Sequence, residues 1–355
     1  MSIAQNLNDY DIALISHECT LTGAPVVLLN LAKTLQTLNF KPIIFSISTG
    51  PLEDLARNNG VPLLVENKEK IIELLNKSGI NKIFVNTVVN FEFLLKLAQE
   101  KHIYWWLHET KLCYKDKGLH KLPEYPQDNW TILSGGDFAK KIFEEFRPKY
   151  PVQNLYYYVD EVSQNSLRTT LFNKKKLTFL CAGSIEKRKG QDILLAAINK
   201  IPFDLLNDAE FWFIGRILDR GIFNELVTFR KKGYPINFID IVSSDELNTL
   251  IFSCDFLVCP SRLDPLPVVV SIGMSLGKKI IISRAVGTSS ILENSKDNYI
   301  VQGDMKSYVE ALKSILIENN TKKLERGFYS SENKELFRHY FSKTHFLRKV
   351  KELLS

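Results

Sequence analysis

Two α/β domains, each built on a parallel sheet, are the architecture this sequence predicts. Three observations carry that expectation. Short apolar runs alternate with helix-like stretches from residue 11 to residue 301. The runs are continuously apolar rather than alternately polar, as strands buried on both faces of a sheet require. The alternation breaks once, at VDEVSQNSLRTTLFNKKK (159–176), and then restarts. With 355 residues the chain is long enough to bury two separate cores.

In the first half, strands are expected at 11–16 (DIALIS), 42–48, 61–65, 82–87, 102–109 (HIYWWLHE), 131–135 and 153–159 (QNLYYYV). Helices are expected between them at 25–38, 51–59, 68–77, 90–100 and 137–146. The second half repeats the scheme, with strands at 177–184, 210–215, 236–242, 256–260, 279–283 and 298–301. Its helices fall at about 190–199, 221–231, 244–252, 268–276 and 304–317, and the stretch 321–354 reads as largely helical. Two such domains place a cleft between the C-terminal ends of their strands.

Composition narrows the function classes. A hydrophobic content of 45% and a charged content of 24% describe an ordinary globular protein. The net charge of +6, from 46 basic and 40 acidic residues, suits a diphosphate, an anionic membrane surface or nucleic acid alike. No zinc, RNA-binding or helix–turn–helix module accompanies the charge, so a nucleic-acid partner is not expected. Five cysteines without metal-ligand spacing, and no secretion signal, point to reduced thiols in the cytosol. Charges interrupt every apolar run before the ~20 residues of a membrane helix.

Three stretches carry chemistry. In LTGAPVVLLNLAKTL (21–35), Gly23 opens a helix whose free N–H groups suit an anion or a hydroxyl, although a plain tight βα connection reads the same way. In CAGSIEKRKGQDILLAA (181–197), Gly183 ends a strand, and Lys187, Arg188 and Lys189 precede the helix-opening Gly190. Cations beside helix N–H groups can neutralise a diphosphate leaving a sugar; a solvated basic loop is the plainer alternative. In CPSRLDPLPVVVSIGMSLGKKIIIS (259–283), Asp264 follows a buried strand, where it can accept sugar hydroxyls or cap a helix. The Val268 and Val269 N–H groups can meet phosphate oxygens, whereas Pro265 and Pro267 stiffen the turn and donate nothing.

These stretches, with WWLHE (105–109), occur in the order found in the retaining, nucleotide-sugar-dependent glycosyltransferases of family 4, which have the GT-B fold. The chain resembles that family over nearly its whole length, loosely at 110–175. The resemblance implies two Rossmann-like domains facing each other across a cleft: an acceptor-side domain at 1–165, a nucleotide-sugar domain at 166–330, and a helical segment at 331–355 returning to the first. Gly23 and Ala24 would lie near the diphosphate or the transferred sugar, and His108 would contact the donor sugar. His108 also fits a core histidine. Glu109 is a neighbouring polar candidate, and His17 has less support. Arg188 and Lys189 resemble the family's diphosphate-binding cations. Gly183, Lys187, Arg216, Gly287, Thr288 and Ser289 would line the donor site.

Two departures stand out. Ser184 occupies a position where the family often has an arginine, so Arg188 or Lys187 must supply that charge. The family also has two acidic residues seven positions apart; Asp264 matches the first, but Ile272 stands at the second, where a glutamate usually binds the nucleotide ribose. The implied activity is transfer of a hexose-type sugar from a nucleoside-diphosphate donor, with retention, to a hydroxyl of a glycan, glycoconjugate or lipid-linked acceptor. The implied setting is cytoplasmic, including the inner face of the cytoplasmic membrane, in polysaccharide or glycoconjugate synthesis. No obligatory cofactor or metal is expected. Ile272 keeps a second reading open, a noncatalytic nucleotide- or glycan-binding partner of an active transferase. The aromatic pairs and triplets at 105–106 and 156–158 fit strand packing, with acceptor recognition as the alternative.

Overall fold

The computed structural model describes residues 7–114, 118–162, 172–173, 175–322 and 329–355. The chain divides into one unit spanning Met1–Tyr158 and Lys343–Ser355 and another spanning Val159–Ser342. The expected interdomain connection at 159–176 therefore starts the second unit, and its residues 163–171 and 174 lie outside the described residues.

In the first unit the strands are β1 (Ile12–Ser16), β2 (Pro42–Ser46), β3 (Leu63–Val65), β4 (Lys82–Asn86), β5 (His102–Leu107), β6 (Trp130–Ser134) and β7 (Val152–Asn154). They form one sheet in the order β3-β2-β1-β4-β5-β6-β7, parallel throughout. Every residue of β1 and β2 is buried, which is why these strands read as unbroken apolar runs. The helices are α1 (Gly23–Thr37), α2 (Leu52–Asn58), α3 (Lys68–Lys77), α4 (Glu92–Lys96) and α5 (Asp137–Phe146). On α1, Val27, Leu28, Leu31, Ala32 and Leu35 recur at helical spacing and are all buried.

Two expected elements are less than half as long as their sequence suggests. The strand expected at 153–159 pairs only as far as Asn154. Tyr158 instead packs on Phe346, with ring centroids 5.4 Å apart. The helix expected at 90–100 stops at Lys96 because the Asn76 side chain accepts from the Ala98 N–H and donates to the Lys96 carbonyl, drawing the chain into extended backbone at Leu97. Trp105 and Trp106 are fully buried. Their indole N–H groups donate to the carbonyls of Thr87 and Leu155 at 2.8 and 3.0 Å. That is strand packing with both polar handles satisfied.

Thr87, just past β4, holds φ 71° and ψ 158°, a region that is almost exclusively glycine's. Its N–H donates to the Trp106 carbonyl at 2.8 Å and its own carbonyl receives Trp105, so the sheet imposes this conformation. Its buried hydroxyl has no hydrogen-bond partner among the described residues. Thr87→Gly is therefore expected to raise the unfolding free energy by about 1 kcal/mol, relief of strain outweighing glycine's extra chain entropy. A higher urea midpoint is the predicted reading; a lower one would refute the strain argument.

The second unit carries β8 (Leu177–Ala182), β9 (Ala209–Ile214), β10 (Ile236–Ile239), β11 (Phe256–Cys259), β12 (Lys279–Ser283) and β13 (Tyr299–Val301). Their order is β10-β9-β8-β11-β12-β13, again all parallel. Around this sheet run α6 (Gln191–Ile198), α7 (Phe203–Leu206), α8 (Arg220–Lys231), α9 (Ser244–Ser253), α10 (Val268–Ser275), α11 (Ser289–Leu292), α12 (Met305–Lys322) and α13 (Ser331–Tyr340). Phe179 stacks between Phe211 and Phe256 at centroid distances of 4.9 and 5.3 Å, forming the centre of this core. The C-terminal helical stretch divides between the units: α13 belongs to the second, and α14 (Lys343–Leu354) belongs to the first, where its Phe346 packs near Trp106. Residues 323–328 lie outside the described residues.

All five cysteines are unpaired, and four are buried. Among the described residues no helix is long and apolar enough to cross a membrane, and no group of three or more His, Cys, Asp or Glu side chains is arranged to hold a metal ion.

Candidate functional site

Both sheets reverse their strand order once, between β1 and β4 and between β8 and β11. At such a reversal the loops leaving adjacent strands diverge to opposite faces and open a crevice at the strands' carboxyl ends. Each unit concentrates its expected site residues at that place.

In the second unit, the 187–190 turn follows β8 and lies against the chain leaving β11. Gly190 has φ +73°, and a Cβ there would sit 2.0 Å from the Pro260 carbonyl oxygen, so only glycine allows this approach. Arg262 ties the two loops together. Its N–H donates to the Arg188 carbonyl at 2.8 Å, and its guanidinium reaches the Lys187 carbonyl at 2.6 Å. The same guanidinium grips Asp192 through two bonds, at 2.6 and 2.8 Å. Burial opposes ionisation of Asp192, but Arg262 and then Lys187 outweigh it and hold the carboxyl below its ordinary range.

This clamp presents Lys189 to Asp264. The Lys189 Nζ lies 2.6 Å from Asp264 Oδ2, and Arg188 Nη1 lies 3.5 Å from the same oxygen. Asp264 has only 9% of its side chain exposed. Ser184 does not leave a gap where an arginine was expected: its hydroxyl donates to Glu186 Oε1 at 2.6 Å, and that oxygen receives Arg188 Nη2 at 3.0 Å. Of the two replacement cations considered, Arg188 faces Asp264, whereas Lys187 pairs with Asp192. Gly183 precedes this turn, and its N–H donates to the Ile214 carbonyl at 2.8 Å.

Val268 and Val269 open α10, so their N–H groups precede the helix's own hydrogen bonds. Ile272 lies one turn beyond Val268 on the same helix and is half-buried. The Gly287 N–H is taken by the Asp264 carbonyl at 2.9 Å and so braces the loop. Ser289 likewise donates its N–H to the Val286 carbonyl at 2.9 Å. The hydroxyls of Ser271 and Thr288 are buried without hydrogen-bond partners among the described residues. Arg216 is exposed and joins the 183–190 turn through its carbonyl, which accepts from the Ile185 N–H at 2.8 Å.

In the first unit, the loops after β1, β4 and β5 converge. The Asn86 amide nitrogen donates to the Ala24 carbonyl at 2.9 Å, and its oxygen lies 2.9 Å from His108 Nε2. Gly23 begins α1 with no described atom within 4 Å of where a Cβ would stand, so the helix entrance is open. Glu109 accepts from the Val88 and His108 N–H groups, both at 2.8 Å, and so braces the loop that carries His108. Burial first, and the neighbouring His17 second, push the His108 imidazole down to about 3, which keeps it neutral. His17 itself lies 3.5 Å from Glu18. Burial raises Glu18, but hydrogen bonds from Thr22 and Thr20, with His17 beside it, lower it overall.

Asn86, Glu186, Asp192 and Arg262 are not singled out by sequence. Asp192 and Arg262 stand 70 residues apart and meet only because β8 and β11 are neighbours. No local pattern marks such a pair.

Two doubly wound parallel-sheet units, each with polar residues gathered at its strand reversal, are the architecture of the GT-B fold. Family comparison agrees. The profile of the glycosyl transferases group 1 matches residues 162–330, and that of glycosyl-transferase family 4 matches residues 9–127. The chain belongs to the GT-B glycosyltransferases of the family 4/5 type. A stretch of 185 residues is 25% identical to the sulfoquinovosyl transferase SQD2 of Arabidopsis thaliana, covering 51% of this chain and 32% of that protein. Another of 225 residues is 28% identical to spore coat protein SA of Bacillus subtilis, covering 61% and 56%. The matches thus span a third to just over half of these relatives. The crystal structure of Anabaena Alr3699/HepE in complex with UDP shares the fold, with a TM-score of 0.77 over 97% of this chain and 99% of that one at 14% identity.

Proposed function

We propose that the protein transfers a sugar from a nucleoside-diphosphate donor to an acceptor hydroxyl, with retention of configuration. The observation that carries this reading is the Lys189–Asp264–Arg188 cluster at the β8/β11 reversal. It puts two cations beside one carboxylate, the set needed to neutralise a departing diphosphate and to accept hydroxyls of the sugar attached to it. Membership of a glycosyltransferase family and a structural relative that binds UDP support the reading. As the bond from the anomeric carbon to the diphosphate breaks, negative charge grows on the leaving oxygen, where Arg188 and Lys189 stabilise it. The acceptor oxygen forms the new bond on the same face, and its proton passes to that leaving oxygen. In this reading the second unit holds the donor, with Gly183, Ser184, Val268, Val269 and Thr288 around it. The first unit supplies acceptor contacts and His108. In this reading the acceptor is a hydroxyl of a glycan, glycoconjugate or lipid-linked acceptor.

Ile272 favours a second reading, a nucleotide- or glycan-binding partner without turnover, since an alkyl side chain cannot accept a ribose hydroxyl. Saturation-transfer NMR with a panel of nucleoside-diphosphate sugars, followed by product detection with glycan acceptors, separates the two. Selective binding with turnover is the expected result; selective binding without it supports the second reading. No binding to a folded protein overturns both a conventional donor site and the assignment of Lys189 and Asp264. Ile272→Glu is expected to tighten donor binding roughly tenfold by restoring a charged hydrogen-bond acceptor. Titration calorimetry showing unchanged affinity would remove the ribose from that position.

A further inference from the structure

Asn86 closes β4 and is fully buried. Its amide has two neighbours of different character: the Ala24 carbonyl oxygen, 2.9 Å from Nδ2, and His108 Nε2, 2.9 Å from Oδ1. A carbonyl oxygen only accepts, so the amide NH2 faces Ala24 and the amide oxygen faces the imidazole. That oxygen also only accepts. The His108 proton is therefore on Nε2, and Nδ1 carries the lone pair. The backbone holds this arrangement, because the Asn90 amide donates to the Asn86 carbonyl at 3.0 Å and Thr87 is forced into its glycine-like conformation. On the other edge of the ring, a Cβ on Gly135 would come within 2.8 Å of His108 Nδ1, so glycine keeps a side chain out of the space beside that nitrogen. The Trp106 ring packs on the imidazole at a centroid distance of 4.7 Å.

We infer that Asn86 is a positioning residue, which holds His108 as the neutral Nε2–H tautomer while fixing it to the first turn of α1. His108 then offers Nδ1 as an acceptor, the form that receives a hydrogen bond from a sugar hydroxyl and cannot donate one from that atom to phosphate. The assignment of a sugar to His108 rests on the proposed transferase reading; the tautomer does not.

The test is nitrogen-15 NMR of the six histidine rings, with His108 identified by its loss in His108→Gln. In the unsubstituted protein, His108 is expected as a single Nε2–H tautomer across roughly pH 5 to 8. An Nδ1–H tautomer, or an exchanging mixture, overturns the inference. Asn86→Asp keeps a pure acceptor against Nε2 and is expected to retain the Nε2–H tautomer while moving the ring's titration to higher pH; a ring protonated on Nδ1 instead overturns the inference. Asn86→Leu, checked for folding by its amide spectrum, is expected to lose the single tautomer and to lower kcat at least about tenfold with little change in donor KM. Unchanged kcat with an unchanged ring signal also overturns it. The expected spectra in a protein that transfers no sugar uphold the role of Asn86 and overturn the transferase reading alone.

Discussion

Replacing Lys189 with alanine is expected to lower kcat/KM for sugar transfer by roughly 10²–10³, the usual loss when one charge-stabilising donor is removed from a reacting centre. Asp264→Asn should produce a comparable loss through the sugar hydroxyls it would no longer accept as an anion. Either result alone has a plainer explanation. The two groups are 2.6 Å apart with little exposure, and deleting one leaves the other largely buried without its main partner. The double variant Lys189→Met/Asp264→Asn decides between them. A pair that serves only the fold is repaired when both charges go, because no unpaired charge remains. Groups that each act on the donor are not repaired, and activity stays as low as in the worse single variant. Recovery of kcat/KM in the double variant would reduce the cluster to a structural ion pair. Lys189→Arg is a weaker rescue than its charge suggests, since the planar fork cannot occupy the position of a compact ammonium.

Which parts of this arrangement can be read along the chain follows from how each is encoded. Buried parallel strands are local signals, so β1, β2, β11 and β12 appear as apolar runs within a residue or two of their ends. Where the neighbourhood overrides the local signal, reading fails. The tyrosines at 156–158 are apolar enough for a strand, yet they leave the sheet, and Tyr158 packs on a helix almost 200 residues later in the chain. At the site the same division holds. Gly190 and the three cations before it are consecutive and legible, and Asp264 is marked by its place after a strand. Arg262, which sets the distance between them, is an ordinary surface arginine until β8 and β11 are known to be neighbours. Asn86 carries no motif, and its role becomes visible only with the Ala24 carbonyl on one side and His108 on the other.

Gly190→Ala should be the most damaging single-methyl change among the glycines of the 183–190 turn. Two costs combine. A residue with a side chain pays about 1–2 kcal/mol to adopt the left-handed conformation. The added Cβ would also stand 2.0 Å from the Pro260 oxygen and 2.8 Å from its carbon, both backbone atoms that cannot rotate away. A total of roughly 3 kcal/mol or more is expected, within the range of severe substitutions. Gly233→Ala separates the two costs. Gly233 has φ +87°, but its Cβ would meet no described atom within 4 Å, so only the conformational cost applies. The difference between the two variants in urea unfolding measures the clash itself. Equal destabilisation would mean that the close approach to Pro260 relaxes at little cost and does not hold the turn. If the clash is rigid, the 187–190 turn must withdraw from the chain leaving β11. Lys189 would then part from Asp264, and donor binding would be lost even in the molecules that remain folded.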